Sequence, residues 1–254
     1  MDQSIAFYVV AFVAILLTGI SKSGFGGGLG VMAVPLMSLF VSPQFAAAIM
    51  MPILLAMDLM IVWQYRSKWD RQIILGLLPA ALLGLALGSL SFRFMDANTI
   101  KFLVGLLAAF FVLQFLTSSR RELPCQRTPR SVVFALGTLS GFSSFVAHAG
   151  GPPVKGYLLQ QRLEKSWFVG TNTVFFFTLN FLKTIAYGAF GTLSITSLQI
   201  SALLSPIVLL GVFFGFRLHS VVGQSIFVKI VYGFLALTAV KLLYDSALVF
   251  LWQT

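Results

Sequence analysis

The sequence has few charged residues for its length, and very few of them are acidic. Its 254 residues include 17 Lys and Arg but only 7 Asp and Glu, so charged residues make up 9% of the chain. Soluble domains are about 25% charged. These side chains are too few to cover a water-soluble globule, and a hydrophobic fraction of 58% excludes a disordered chain. The composition therefore predicts an all-α polytopic membrane protein.

Cysteine and histidine are also scarce. The single cysteine, Cys125, excludes an intrachain disulfide. The two histidines, His148 and His219, lie far apart in the sequence and do not support a metal site, so we expect no metal and no cofactor. The sequence contains no Gly-x-x-x-x-Gly-Lys-[Ser/Thr] motif, no Gly-x-Ser-x-Gly motif and no pair of intramembrane acids. We therefore expect neither ATP hydrolysis nor any other enzyme activity.

Uncharged apolar runs mark the predicted helices, since a spanning helix needs about 20 apolar residues. Two shorter stretches, 28–41 and 152–161, are too short or too polar to face lipid, and they are predicted as broken helices inside the bundle. No Lys or Arg precedes the first run, so we expect it to be a permanent span rather than a cleaved signal. The eight runs predicted as full transmembrane helices are 5–20, 45–64, 72–92, 101–117, 131–147, 167–187, 198–216 and 225–245.

The two halves of the chain resemble each other. An offset of 122 residues pairs Gly28 with Gly150 and Asp58 with Asn180, which places both short stretches and two polar intramembrane residues in register. The pattern predicts two transmembrane repeats. The expected divisions are a first repeat at 1–117, a basic cytoplasmic linker at 118–130 and a second repeat at 131–254.

The distribution of Lys and Arg predicts how the repeats are oriented. If each repeat crosses the membrane five times, the basic loops at 65–71, 118–130, 162–166 and 217–224 all lie on one side. The positive-inside rule makes that side cytoplasmic. An odd number of segments inverts the second repeat and leaves both termini outside. The rule also explains the net charge of +10 without a nucleic-acid partner. We expect about ten segments in a bacterial inner (cell) membrane, with the lipid bilayer as partner.

Glycine clusters at the two short stretches are the most informative feature. Consecutive glycines cost about 1 kcal/mol each in a helix interior, so they favour unwound backbone followed by a short helix. Such a helix start presents free N–H groups to an anion. Each residue type also has an alternative explanation. The glycines can serve close helix packing, Lys22 can extend its ammonium group to the aqueous boundary, and the serines can hydrogen-bond to unwound backbone. The candidate substrate-binding residues are Ser21, Lys22, Ser23, Gly26, Gly27, Gly28, Ser143, Ser144, His148, Gly150, Gly151, Pro152 and Asn172.

Asp58 is the only acid away from the ends of a predicted span, and it has a non-titratable counterpart in Asn180. It is a candidate proton carrier, and a structural partner of Lys22 is the alternative. His148 is a second proton-coupling candidate. The sequence leaves Lys183 open between a packing role and a place on a cavity wall.

The run Gly19-Ile-Ser-Lys-Ser-Gly-Phe-Gly-Gly-Gly-Leu-Gly-Val-Met-Ala-Val-Pro35 resembles the first signature of the TauE/SafE sulfite exporter family. Gly141 followed by His148-Ala-Gly-Gly-Pro152 resembles its second signature. The resemblance implies a transporter of small sulfur-containing or organic anions such as sulfite and sulfonates. We expect a secondary transporter that works by alternating access. An anion channel or a non-transporting membrane subunit is the alternative, and a homodimer is left open.

Overall fold

In a computed structural model, the described residues are 3–25, 27, 30–117, 128–221 and 224–252, without the side chains of 218–221, 224–227 and 251–252. This part of the chain is entirely helical and contains no strand. A 3₁₀ turn at Gly30–Met32 precedes the second α-helix. The α-helices are α1 (Ile5–Phe25), α2 (Ala33–Met37), α3 (Pro43–Gln64), α4 (Arg71–Phe94), α5 (Ala97–Thr117), α6 (Arg130–Ala147), α7 (Gly151–Gln160), α8 (Lys165–Ala189), α9 (Ile195–Leu204), α10 (Pro206–Val221) and α11 (Gln224–Trp252).

Local signals in the sequence set several helix starts. The side chain of Ser42 accepts a hydrogen bond from the backbone N–H of Phe45 at the start of α3, and Pro43 occupies the first turn. The side chain of Asp70 accepts from the N–H of Ile73 in the same way at the start of α4. These caps satisfy N–H groups that have no partner within the helix.

Within the described residues, six helices are long and apolar enough to cross a bilayer, and the α9–α10 pair makes a seventh if it counts as one span. The run 198–216 is predicted as one full transmembrane helix, but the structure divides it between α9 and α10, which meet at a bend of 46°. Pro206 begins α10, and a proline cannot continue a helix without losing a backbone hydrogen bond. Helix α8 has 25 residues, which is long enough to cross a bilayer. It is not one of the six candidate spans, because polar residues such as Thr171 and Asn172 lower its hydropathy.

Two pairs of helices pack closely through glycine. Helix α1 packs along α10, where a Cβ atom on Gly19 would lie 2.9 Å from the Cα of Gly211. Helix α4 packs along α6, where a Cβ atom on Gly141 would overlap the carbonyl oxygen of Ala81. Small residues allow membrane helices to approach at backbone distance. In addition, α5 packs on α11 and α3 on α8.

The described loops and helix ends next to the basic segments contact one another at one end of the bundle. The backbone N–H of Asp70, between α3 and α4, donates to Thr171 Oγ1 near the start of α8 at 2.9 Å. Thr128 Oγ1, before α6, donates to Gln160 at the end of α7 at 2.5 Å. The rings of Tyr65 and Phe216 lie 6.4 Å apart, which brings the described end of α10 to the same place.

Candidate functional site

The first helix break follows α1. Gly27 has a φ of 75°, a left-handed conformation that glycine adopts without steric cost. Its backbone N–H donates to the carbonyl oxygen of Ser21 at 2.9 Å, which closes the end of α1. Gly26 and Gly28, both candidate site residues, lie outside the described residues. The chain resumes helical structure at Gly30.

The second break, after α6, has the matching hydrogen bond, but its left-handed residue lies one position earlier than the offset of 122 would place it. His148 has a φ of 51°, and the backbone N–H of Ala149 donates to the carbonyl oxygen of Ser143 at 3.1 Å. Donor and acceptor of this bond both lie 122 residues after those of the first break, Gly27 and Ser21. Helix α7 then begins at Gly151 with proline in its first turn, where the missing N–H is not needed.

A cavity of about 30 Å³ lies between the two breaks. This volume accommodates one or two water molecules. The cavity brings together residues from α1, α3, α6, α7, α8 and the two breaks. Its lining consists of Thr18, Lys22, Gly27, Gly30, Leu54, Ser144, His148, Gly151, Asn172, Phe176 and Asn180.

An ion pair within the first half lies beside this cavity, and a hydrogen bond joins it to the second half. Lys22 Nζ lies 2.6 Å from Asp58 Oδ1, and both side chains are buried. The other carboxylate oxygen, Oδ2, accepts a hydrogen bond from Asn180 Nδ2 at 2.6 Å. The offset of 122 residues thus matches two residues that contact each other directly. Both carboxylate oxygens are engaged, so Asp58 compensates the charge of Lys22.

A second buried lysine lies behind the cavity wall, against Ser144 and His148. Lys183 Nζ donates to the carbonyl oxygen of Ser144 at 2.8 Å and to Ser144 Oγ at 3.0 Å. It also lies 2.8 Å from His148 Nδ1. The other ring nitrogen of His148, Nε2, is 3.0 Å from the carbonyl oxygen of Ala47. These contacts fix Ser144 and His148 at the cavity wall.

Asn172 has an unused hydrogen-bonding atom at the cavity. The residue is 1% exposed, and its Oδ1 has no hydrogen-bond partner in the described part of the chain. A Cβ atom on Gly27 would lie 2.9 Å from Asn172 Nδ2, so the amide faces the first break directly. Because the two ends of an amide can exchange by a flip, this side chain can offer either a donor or an acceptor.

Several candidate residues lie beside the cavity rather than in its wall. Ser23 Oγ donates to the carbonyl oxygens of Gly19 and Val212, so it ties α1 to α10. Ser143 Oγ donates to the carbonyl oxygen of Leu139 within α6. The cavity lining likewise excludes Ser21, Gly150 and Pro152, which shape the two breaks.

Sequence reasoning left Lys183 undecided and did not single out Thr18. Thr18 lines the cavity, but its hydroxyl donates to the carbonyl oxygen of Ala14, a bond common for threonine in any buried helix. For Lys183, the available signal was a cation inside an apolar run. Its importance depends on contacts with α6 that the sequence does not reveal.

Comparison with known protein families identifies the chain. A family model described as Sulfite exporter TauE/SafE matches residues 11–242, which is most of the sequence. The chain belongs to this family. Its membership and its apolar helices make it an integral multi-pass membrane protein of the TauE/SafE transporter family. No curated protein matches the chain. No solved structure matches it either.

Proposed function

We propose that this TauE/SafE protein is a secondary transporter that moves a small sulfur-containing or organic anion, of the sulfite or sulfonate type, across the membrane by alternating access. The observation that carries the proposal is the small polar cavity that lies between two matched helix breaks, with two buried lysines beside it. A buried polar cavity of this kind, within an apolar bundle, is the usual setting of a transport site.

The chemistry of the cavity wall supports an anion as substrate. Helix α7 has ten residues, and its first residue, Gly151, lines the cavity, so the positive end of the helix dipole faces it. Asn172 also lines the cavity, and the NH₂ group of its amide can donate hydrogen bonds to an oxyanion. Lys22 also lines the cavity. Dipole, amide and cation all favour a bound oxyanion.

The pairing of helices supports two inverted repeats, one in residues 1–117 and the other in 131–254. In such an arrangement α1 corresponds to α6, α3 to α8, α4 to α9–α10 and α5 to α11. The contact of α1 with α10 then corresponds to the contact of α6 with α4. The contacts of α3 with α8 and of α5 with α11 each map onto themselves. In this arrangement, eight spans and two broken segments give about ten segments. Rocking of one set of helices against the other would expose the cavity to each side in turn.

The clustering of basic loops supports a cytoplasmic location for the end of the bundle that contains Arg66, Lys68 and Arg162. We place the protein in the cell membrane, with the loop between α8 and α9 on the outer side. That loop, 190–194, carries no charged residue.

Flux through proteoliposomes tests the function. Purified protein is reconstituted, and uptake of radiolabelled sulfite and methanesulfonate is measured with and without an imposed pH gradient. We expect saturable flux that responds to the gradient. Flux that does not saturate would indicate a channel, and absence of flux with every probe would indicate a non-transporting subunit. Either result contradicts the proposal.

A matched pair of variants on α8 ties the flux to the cavity. Asn172→Leu keeps the approximate shape of the side chain and removes the amide from the cavity wall. Thr178→Val lies on the same helix, where the hydroxyl of Thr178 donates to the carbonyl oxygen of Val174 and the residue does not line the cavity. We expect Asn172→Leu to reduce flux by about tenfold or more, as the loss of a bond to a charged ligand does. Thr178→Val should transport like the wild type.

A further inference from the structure

A second cavity lies at the basic end of the bundle. Its volume is about 250 Å³, and α1, α7, α8 and the loop between α7 and α8 contribute to its wall. None of the described residues that line the central cavity lines this one. The wall combines two lysines with four large apolar side chains, namely Lys155, Lys165, Phe25, Leu159, Leu163 and Phe168. This second cavity is therefore both cationic and apolar.

The two lysines of the wall can both contact a ligand in the second cavity. Lys165, the first residue of α8, is exposed, and Lys155 on α7 is partly buried. Within the described part of the chain, neither lysine forms an ion pair with a carboxylate. An ammonium group only donates hydrogen bonds, so the two lysines match a ligand with negatively charged acceptor oxygens. Because Lys165 is exposed to water, the positive charge of this cavity does not depend on Lys155 alone.

The apolar part of the wall extends to the surface of the bundle. Phe25 is 7% exposed and Leu159 is 58% exposed, whereas Leu163 and Phe168 are partly buried. A small free oxyanion would contact the lysines and leave this apolar surface uncovered. A ligand that joins a charged phosphate to an acyl chain matches both the lysines and the apolar side chains.

Exposed tryptophans place the second cavity near the headgroup level of a bilayer. Trp63, Trp69 and Trp167 are 73%, 36% and 37% exposed. The backbone N–H of Asp70 donates to Thr171 Oγ1, which holds the loop between α3 and α4 against the first turns of α8. Tryptophan is enriched where a bilayer meets water. Because Trp167 lies two residues after the lysine that begins α8, that lysine lies close to the depth of the lipid headgroups.

The corresponding positions of the first repeat carry no charge. The offset of 122 residues pairs Lys155 with Ala33 and Lys165 with Pro43. A short helix after a break can therefore be built without a cation at either position. The two lysines occur in the copy whose short helix ends among the basic loops, on the side that we place in the cytoplasm. The cytoplasmic leaflet of a membrane carries anionic lipids.

We propose that the second cavity binds an anionic phospholipid of the adjacent leaflet. Lys155 and Lys165 bind the phosphate, and the first part of an acyl chain packs against Leu159 and Phe168. Such a lipid contacts α1 as well as α7 and α8, since Phe25 belongs to the same wall. This inference concerns a lipid and not the transported anion, so it does not depend on the proposed transport function.

Three probes that differ in charge or in acyl chains test the lipid site. Native mass spectrometry of delipidated full-length protein measures binding of phosphatidylglycerol, of phosphatidylcholine with the same acyl chains, and of glycerophosphoglycerol. The last of these is the anionic headgroup without acyl chains. We expect phosphatidylglycerol to bind about tenfold or more tightly than phosphatidylcholine, because two lysines act on its charge. Glycerophosphoglycerol should bind at least about tenfold more weakly than the lipid, because it cannot cover the apolar wall.

Charge variants locate the binding of phosphatidylglycerol. Lys155→Gln and Lys165→Gln should each weaken it by about fivefold and leave phosphatidylcholine binding unchanged. Lys68→Gln is the matched control, because Lys68 is exposed in the basic loop between α3 and α4 and does not line the cavity. Its affinity for phosphatidylglycerol should stay within about twofold of wild type.

The outcomes separate a lipid site from the other possible occupants. If glycerophosphoglycerol binds as tightly as phosphatidylglycerol, the cavity holds a free anion and the lipid assignment is wrong. Equal binding of the two phospholipids would contradict the role of the lysines. A loss in Lys68→Gln as large as that in Lys165→Gln would show attraction to the whole basic end instead of to the cavity. Lys165 is exposed, so its variant keeps the test decisive even if Lys155→Gln fails to fold. Flux of sulfite is measured separately, so the transport function can stand when the lipid site fails.

Discussion

Because Lys22 and Asp58 form a buried ion pair, removing the charge of Asp58 should cause a large loss of stability. Removing the charge of Lys22 as well should restore most of that stability. Asp58→Asn keeps the shape of the side chain and removes its charge. At an N–O distance of 2.6 Å, the attraction is about 6 kcal/mol for an effective dielectric constant of about 20. Part of this attraction repays the desolvation of both groups, and removal of one partner of a buried pair usually costs about 3–5 kcal/mol. We expect a loss of that size, because Lys22 is left buried without its partner.

Thermal unfolding in detergent measures this loss. A destabilisation of 3–5 kcal/mol lowers the melting temperature on the order of 10 °C for a chain of this length. The double variant Lys22→Met, Asp58→Asn removes both charges and should recover most of the difference. The reasoning is refuted if Asp58→Asn melts with the wild type, or if Lys22→Met brings no recovery.

The same variant tests proton coupling. If Asp58 carries the coupling proton, Asp58→Asn should still bind substrate, but its flux should no longer depend on the pH gradient. Flux that keeps the gradient dependence of the wild type would exclude Asp58 as the proton carrier.

Three further predictions concern other parts of the molecule. Gly150→Val should abolish transport while the protein still inserts, because a Cβ atom there would lie 2.6 Å from a backbone oxygen. Gly156→Val, on the short helix that follows, meets open space and should transport. In a cysteine-free background, Ser67→Cys should resist a membrane-impermeant thiol reagent in intact cells, whereas Thr192→Cys should react; the opposite pattern would reverse the orientation. The hydrogen bonds that Asp96 accepts at the start of α5 lower its pKa in the folded protein. They therefore stabilise the fold at pH values above the pKa of the unfolded chain, which is about 3.9. This stabilisation is lost as the pH falls through the pKa of the folded protein. Asp96→Asn should therefore flatten the acid side of a plot of melting temperature against pH.

The sequence predicted the broad architecture well, because apolar runs and glycine clusters are local signals. The run predicted at 5–20 lies within α1, and the stretch predicted at 152–161 is helix α7 with its start shifted by one residue. The repeat offset also pairs Asp58 with Asn180, and these two side chains are hydrogen-bonded in the structure. Polar residues are rare within transmembrane segments, so the few that occur there can be recognised in the sequence as candidate hydrogen-bonding partners.

Other features could not be predicted from the sequence, because they depend on how the helices are rotated and bent. Ser23 lies one residue after Lys22, yet it faces α10 and not the cavity. The bend between α9 and α10 was missed because the apolar run continues through Pro206 without interruption. The role of Lys183 depends on groups in α6 that lie 35 to 39 residues away in the chain.

The glycine contact between α1 and α10 has a consequence for the order of synthesis. Ser23 and its acceptor, the carbonyl oxygen of Val212, are 189 residues apart in the chain. Helix α1 therefore enters the membrane long before the ribosome has made the helix that covers its glycine face. A fragment that ends at residue 117 lacks that helix altogether, because α10 begins at Pro206. The nascent protein must keep this small-residue face away from unrelated helices until translation is nearly complete.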